Sequence, residues 1–404
     1  MRARTAVAAV LVISVLAGTA ILGFTSVADS GGSLSVLWIS DTVRPNQVNH
    51  HSVAAERIDN RTFIAAPVSA VSGNSQENCA LVMLNANGTI KWRQQIAKQA
   101  CAIHGIGDPA IADFNGDGTP DVLVPTTENT LYGYNAYTGE KELHVNLTAF
   151  GYSQPVVLTE PTRKIVAVDF NGTVFAIHPN GTVAWRRHVA AGVIADVEKG
   201  DFDNDGAPEV VVGAPGNVTL FEPNGTIDWQ IPISATFVVA GEVAGNQTIF
   251  IADSNGIIRL DGATGAVRWR WNTSNNRPAI HTLGDGDEDG VKELYVATGG
   301  GNLYALSART GNVEWHVTLS VQDTIVPAPV LGDIDGDGHP ELVTVTNSGI
   351  VSVRNPQTGE LLASYRRKVA IWTHPTLVDL DGDGSKEILV MYGDGRVVAL
   401  SYAS

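Results

Sequence analysis

Carboxylates recur at alternate positions in five short segments of this chain: DFNGDGTPD from Asp113, DFDNDGAPE from Asp201, DGDEDGVKE from Asp285, DIDGDGHPE from Asp333 and DLDGDGSKE from Asp379. All five follow D-x-[DN]-x-D-G-x-x-[DE]. Hard cations such as Ca2+ take about six to eight oxygen ligands, and a loop with side-chain oxygens at positions 1, 3, 5 and 9 and a carbonyl at 7 can wrap one ion. The side-chain set of the first loop is Asp113, Asn115, Asp117 and Asp121, and that of the second is Asp201, Asp203, Asp205 and Glu209. The third offers Asp285, Asp287, Asp289 and Glu293, the fourth Asp333, Asp335, Asp337 and Glu341, and the fifth Asp379, Asp381, Asp383 and Glu387. Carbonyls would come from Thr119, Ala207, Val291, His339 and Ser385, each just after a glycine that permits the bend. An all-oxygen set without histidine or cysteine side chains selects calcium over zinc or copper, and magnesium keeps more water. About five Ca2+ are expected; the alternative is an Asx-turn that needs no ion. No long helix flanks these loops, so a stabilising role is expected rather than a sensory one.

Charge follows from the same residues. The first loop contributes three acids and the other four contribute four each, so 19 of the 42 acidic residues lie in the loops. Five bound Ca2+ would move the net charge from −16 to −6. Eight lysines against eighteen arginines give an acidic, lysine-poor surface of the kind found in halophilic proteins, although metal ligation accounts for much of the acidity. A nucleic acid, whose phosphates demand clustered cations, is excluded as a partner.

What must position these loops is a second repeat that alternates with the first. NGTIKW, TGEKEL, NGTVAW, NGTIDW, TGAVRW, TGNVEW and TGELLA place Trp92, Leu143, Trp185, Trp229, Trp269, Trp315 and Ala363 in corresponding positions. Asn-Gly and Thr-Gly between alternating apolar runs are hairpin signals. One repeat before Trp92 stands SVLWIS with Trp38, a strand with no unit of its own, while the last unit ends before its tryptophan-type strand. The N-terminal strand therefore completes the C-terminal unit and closes a ring without free sheet edges. Spacings of 40 to 54 residues match one four-stranded blade each. An all-β, eight-bladed propeller is expected, with seven blades as the alternative. Within a unit, PAIAD is the inner strand, DFNGDGTPD the loop to DVLVPT, TLYGYNA the third strand and EKELHV the outer one. Units one, three and five lack the acidic loop, with SAVSGNSQENCALVML, LTEPTRKIVAV and GEVAGNQTIFIAD in its place.

Arg2 and Arg4 precede an uncharged apolar segment over residues 5–24. At ~1.5 Å per residue it spans a bilayer core. Residues 1–4 are expected in the cytoplasm, 5–24 as a transmembrane signal-anchor (a cleaved signal peptide is the alternative), 25–33 as linker and 34–404 as the propeller outside. The expected location is the plasma membrane, single-pass, with the ectodomain secreted if the N-terminus is cleaved. A disulfide between Cys79 and Cys101 suits that compartment. So do nine sequons, at Asn60, Asn87, Asn146, Asn171, Asn180, Asn217, Asn224, Asn246 and Asn272.

On the face opposite the acidic loops, Asp108, Asp196 and His374 each stand five residues before a loop's first aspartate, in one register near the channel mouth. His104, Trp271, Arg277, His281, Arg366, Arg367 and Trp372 fall in or beside the inter-blade connections of that face. Solvated loop residues and blade packing account for such a set; a recognition patch is the sharper reading, since aromatics and arginines are enriched in hot spots. No nucleophile–base spacing emerges, and no catalytic residue is assigned.

The acidic loops resemble FG-GAP/VCBS-type calcium repeats, and the TGxxxW strands resemble the repeats of PQQ-type (quinoprotein) propellers, together over residues 34–402. The resemblance implies a calcium-stabilised propeller. In architecture it is similar to integrin-type adhesion heads and to the propeller lipoprotein of outer-membrane assembly. It implies a non-catalytic, membrane-anchored binding or scaffolding module with a cell-surface protein or polysaccharide as partner. Propellers host many activities, so two enzymes remain as alternatives. A quinoprotein dehydrogenase would carry adjacent cysteines beside its cofactor; Cys79 and Cys101 are far apart, and PQQ is not expected. A polysaccharide-active propeller would need an acid–base set in a groove.

Overall fold

The computed structural model describes residues 32–42, 49–69, 79–190, 196–273, 276–319 and 327–404. The expected cytoplasmic tail, the apolar segment 5–24 and most of the linker lie outside the described residues. Among the described residues, no helix is long and apolar enough to cross a membrane.

Eight four-stranded antiparallel sheets follow one another along the chain, so the ring has eight blades and not seven. Blade 1 occupies residues 54–95, blade 2 residues 110–146, blade 3 residues 156–188 and blade 4 residues 196–231. Blades 5, 6 and 7 occupy 237–272, 283–318 and 330–366. Blade 8 combines Thr376–Val378, Glu387–Met391 and Val397–Ala403 with the N-terminal strand Ser33–Ile39, paired Leu34 to Tyr402 and Val36 to Leu400. The two ends of the described chain thus share one sheet, which removes the edges an open array would expose.

Sequence explains the layering within each blade. Second strands such as Glu209–Ala214 (EVVVGA) are rich in valine and buried at every residue, because both faces meet neighbouring blades. Outermost strands such as Val313–Thr318 (VEWHVT) alternate exposed and half-buried residues, because one face meets solvent. The core is accordingly divided into eight apolar clusters, each between consecutive blades, including one of Val53, Ile64 and Val82 against Leu389, Met391 and Val397 across the closure. Burying one such side chain contributes roughly 1.5–3 kcal/mol.

Each ring-position tryptophan binds its blade to the next. The indole Nε1 of Trp38, Trp92, Trp185, Trp229, Trp269 and Trp315 donates to a carbonyl of the following blade's turn (Ala86, Ala136, Pro223, Gly262, Ala308 and Pro356) at 2.7 to 3.1 Å. The ring lies on that turn's glycine, so a Cβ at Gly88 would fall 2.5 Å from Trp38, and one at Gly359 2.7 Å from Trp315. Hairpin glycine and tryptophan are therefore one device spanning two blades. Ala363 sits where the next blade's turn is replaced by the chain-end junction, and there is no such glycine for a ring to cover. In every outer strand a bulge falls next to the ring position, for instance between the pairs Gly133–Leu143 and Tyr134–Lys141.

One expectation about the loop-less blades is corrected. SAVSGNSQEN does not replace the acidic loop of blade 1, because it follows the second strand, Arg61–Val68. The first two strands of that blade are joined instead by Asp59 and Asn60, both at positive φ (49° and 62°), a two-residue hairpin turn. In blades 3 and 5 the short connections are residues 159–163 and Ala244–Gly245, as LTEPTRKIVAV and GEVAGNQTIFIAD suggest.

Candidate functional site: acidic loops on one face, a channel mouth on the other

All five acidic loops share one internal bonding pattern. The N–H of position 2 donates to the position 9 carboxylate (Asp121, Glu209, Glu293, Glu341 or Glu387) at 2.6 to 3.3 Å. The position 6 glycine N–H donates to the first aspartate at 3.0 to 3.4 Å. The N–H groups of Thr119, Ala207, Val291, His339 and Ser385 donate to the position 5 aspartate at 2.7 to 2.8 Å. Backbone donors thus fix the carboxylates before any ion is considered.

These donors do not satisfy every oxygen. Asp121 Oδ1, Asp201 Oδ1, Glu209 Oε1, Asp285 Oδ1 and Glu293 Oε1 are buried without a hydrogen-bond partner. Burial, reinforced by neighbouring carboxylates, pushes the Glu209 and Glu341 carboxyls up to about 7 and those of Asp121 and Glu293 up to about 8. Glu387 is raised for the same reasons. Orphaned buried oxygens in an all-oxygen set are what a hard cation would satisfy, so the residues fit a metal.

Fit is not equal among the loops. Carboxylates come within 4.8 Å of one another in the sets Asp201–Asp203–Asp205–Glu209, Asp285–Asp287–Asp289, Asp333–Asp335–Glu341 and Asp379–Asp381–Glu387. The first loop forms no such cluster. Its position 3 is an amide, and Asn115 Nδ2 donates to both Asp117 and Glu142 at 3.1 Å. Its position 9 is aspartate, one methylene shorter than the glutamates elsewhere, and the bulge residue Glu142 of the outer strand interacts with it. Two loop-less blades reach toward neighbouring loops with arginine: Arg163 donates to the Asp113 carbonyl, and Arg57 lies 4.0 Å from Asp379. His339 pairs with Glu288 of the adjacent loop at 2.6 Å, which raises the imidazole pKa.

On the opposite face, a cavity of about 240 Å³ opens at the channel mouth. Asp108, Asp196, His281, Trp372 and His374 all line it, joined by His50, Ser52 and Glu198. A second space of about 390 Å³ shares Ser52, Gln154, His281 and His374 with it and continues past Glu56 and Lys386. His281 and His374 stack at 3.9 Å. The charge of His374 and burial hold His281 down at about 3, and burial lowers His374. Burial pushes Asp196 up to about 6 and Glu198 up to about 8, the latter reinforced by Asp196. Asp108 differs: burial works against its charge, but His51, His374 and the Ser52 N–H outweigh that and lower it. Burial thus favours the protonated form of Asp196 and Glu198 and the neutral form of His281, while Asp108 is held charged.

Arg277 does not line this cavity; it stands in the blade 5–blade 6 connection at φ 43° with its N–H toward the Ser254 carbonyl. Trp271 packs edge-on against Tyr304 within the blades, and Arg366 ends an outer strand. Arg367 grips Asp394 through both guanidinium nitrogens and lies over Tyr392. Cys79 and Cys101 form a disulfide. It ties the helix Lys98–Ile103 to the start of a blade 1 strand, directly before His104. Sequence reasoning singled out neither His50 nor His51; both precede blade 1 in a connection outside any repeat, where no periodic signal marks them.

Comparison with known proteins agrees with this geometry. The family described as outer membrane protein assembly factor BamB matches residues 170–337, and the FG-GAP-like repeat matches residues 333–390. Both repeat types are present in the chain. BBSome complex member BBS2 from Homo sapiens is 25% identical over 245 residues, 60% of this chain and 33% of that protein. The Rattus norvegicus protein is 30% identical over the same shares. The chain thus spans about a third of the length of these curated relatives. Among solved structures, BamB from Moraxella catarrhalis aligns with TM-score 0.64 at 14% identity, covering 91% of this chain and 99% of that one. The C-terminal WD40 domain of Sif2 aligns with TM-score 0.65 at 15% identity, covering 92% and 99%. These structural likenesses are to the propeller fold.

Proposed function

We propose that this protein is a non-catalytic binding or assembly module: a propeller held outside the cytoplasm by residues 5–24, stiffened by Ca2+ in its acidic loops, and presenting the channel mouth to a protein partner. The observation that carries the reading is the match of residues 170–337 to an assembly-factor repeat on a ring whose two faces differ in kind. Relatives support it: BBS2 is a BBSome complex member, and the BBS1 N-terminal domain was solved in complex with ARL6, on a fold that aligns with TM-score 0.53 over 72% of this chain. Calcium is supported by the orphaned buried oxygens and by the ligand chemistry. Anchoring is supported by the length and flanking charge of the N-terminal segment.

Site-specific photo-crosslinking in the native envelope tests the partner. A crosslinker at Trp372 should capture one protein species, and the same group at Asp203 on the loop face should not. Capture of polysaccharide alone, or equal capture from both faces, overturns the reading. For the anchor, the full chain should stay in the membrane pellet after an alkaline carbonate wash, and deletion of residues 5–24 should release it. A full chain that washes off removes that part of the proposal.

A further inference from the structure

The geometry points to a transition-metal site formed by His50, His51 and His104 at the channel mouth, with Asp108 holding His51 from behind and the remaining coordination position open to the cavity. This site is separate from the acidic loops, which lie on the other face and offer only oxygen.

The three histidines come from two connections. His50 and His51 precede the inner strand Ala54–Ile58 of blade 1, and His104 follows the helix Lys98–Ile103 that leads to blade 2. One ring nitrogen from each lies within 4.8 Å of the other two. A tetrahedral zinc site, with bonds of about 2.0–2.1 Å, needs its ligand nitrogens roughly 3.3 Å apart, so the touching His51 and His104 nitrogens would part by ring rotation to admit an ion. His51 is 4% exposed and His104 2%. His50 is exposed and lines the cavity, which places the open side of the site there.

Hydrogen bonding sets the chemistry of His51. A carboxylate oxygen only accepts, so the 3.0 Å contact between His51 Nδ1 and Asp108 Oδ1 puts the proton on Nδ1. The Nε2 lone pair is then directed away from Asp108, at Nε2 of His104. Two ring nitrogens in contact either share a proton, as they stand, or part to hold a cation. A carboxylate behind a histidine, fixing its tautomer and raising its basicity, is the usual outer partner of a metal-bound imidazole. Asp108 is itself fixed: its Oδ1 accepts from the Ser52 N–H at 3.1 Å, and its own N–H donates to the Tyr152 carbonyl at 2.8 Å.

His104 is equally constrained. Its N–H donates to Ala100 O at 2.9 Å, and Thr127 Oγ1 donates to the same carbonyl at 2.8 Å. The Cys79–Cys101 disulfide anchors this turn to blade 1, and the Tyr152 ring stands edge-on to His104 at 4.6 Å. Such support is what a preorganised metal site requires. Neutral imidazole ligands suit Zn2+, Cu2+, Ni2+ or Co2+ and disfavour Ca2+. The ion-free account is an imidazole–imidazole hydrogen bond, and the experiment separates the two.

Full-length protein, stripped of metal and returned to excess Ca2+ to occupy the oxygen loops, is titrated with Zn2+ by calorimetry and with Co2+ by absorption. The expected result is one equivalent of tight Zn2+ and the d–d spectrum of a nitrogen-ligated tetrahedral Co2+. His51→Ala and His104→Ala should each weaken uptake by about 100-fold or more, and Asp108→Asn by roughly 10- to 100-fold. His188→Ala, on the exposed outer strand Val183–His188, should leave it unchanged. Melting curves in Ca2+ without Zn2+ identify variants that have merely unfolded, and the milder His104→Gln then replaces an unfolded alanine variant. No stoichiometric uptake in excess Ca2+, or uptake indifferent to the His51 and His104 substitutions, overturns the proposal.

Discussion

The two faces of this ring are built by opposite rules. On one, a single nine-residue solution is used five times, with the same backbone donors on the same carboxylates. On the other, among the described residues, the groups that gather at the connections (His51 with Asp108, His281 with His374, Asp196 with Glu198) occur once each. Repetition suits stability, because an ion bound in such a loop would fasten any two inner strands in the same way. Recognition needs a surface unlike its copies, and the mouth offers one where the repeat stops dictating residues.

The comparison breaks most visibly if the loop face is emptied. If Ca2+ fills the loops, each ion at about 100 times its dissociation constant adds about 2.7 kcal/mol. Chelation should then lower Tm by about 10 °C or more, with the cavity residues following only as the whole ring melts. Scanning calorimetry in Ca2+ and in EGTA measures this. An unchanged melt would mean that backbone donors alone hold the loops.

The blade joints give the next largest effect. Trp315→Ala removes a ring that covers Gly359 and donates to Pro356 O at 2.8 Å. It should cost about 3–5 kcal/mol, in EGTA as well as in Ca2+, by urea unfolding. A loss confined to Ca2+ would mean that the tryptophans act through the loops and not between blades.

The eight blades, the ring closure at Ser33–Ile39 and the loop residues were legible because each is a pattern repeated at fixed spacing. SAVSGNSQEN misled because the turn of blade 1 had shrunk to Asp59–Asn60, leaving the longer insertion to be counted one strand early. Asp108, Asp196 and His374 were found through their register with the loops, but Arg277 fell outside the cavity because its connection has no register to follow. His50, Ser52 and Glu198 carried no periodic signal; only folding brings 50–52, 104–108 and 196–198 together.

Within the loop face, the first and third loops sharpen the comparison. Glu293→Gln replaces a buried carboxylate with an oxygen that has no other partner. It should remove one Ca2+ equivalent and about 2–3 kcal/mol in Ca2+, with little change in EGTA. Asp121→Asn should lose less, because its loop brings no carboxylate cluster together and Glu142 remains beside it. Equal losses would show the first loop to be a full site despite its amide and its shorter ninth residue.

The smallest effect is also the one that belongs to the channel mouth alone. Burial and Asp196 push the Glu198 carboxyl from 4.5 up to about 8. The folded state therefore binds this proton more tightly than the unfolded chain does. Its contribution to stability is complete below about pH 4.5 and is lost as pH rises through about 8. Glutamine cannot ionise, so Glu198→Gln should melt with the wild type at about pH 4 and about 2–5 °C above it at about pH 8.5. Taking the difference between the two proteins at each pH cancels the titration of the acidic loops, which both share. A difference that stays constant across the range would mean that Glu198 is solvated at the mouth, and that of the two faces only the loops bury their carboxyls.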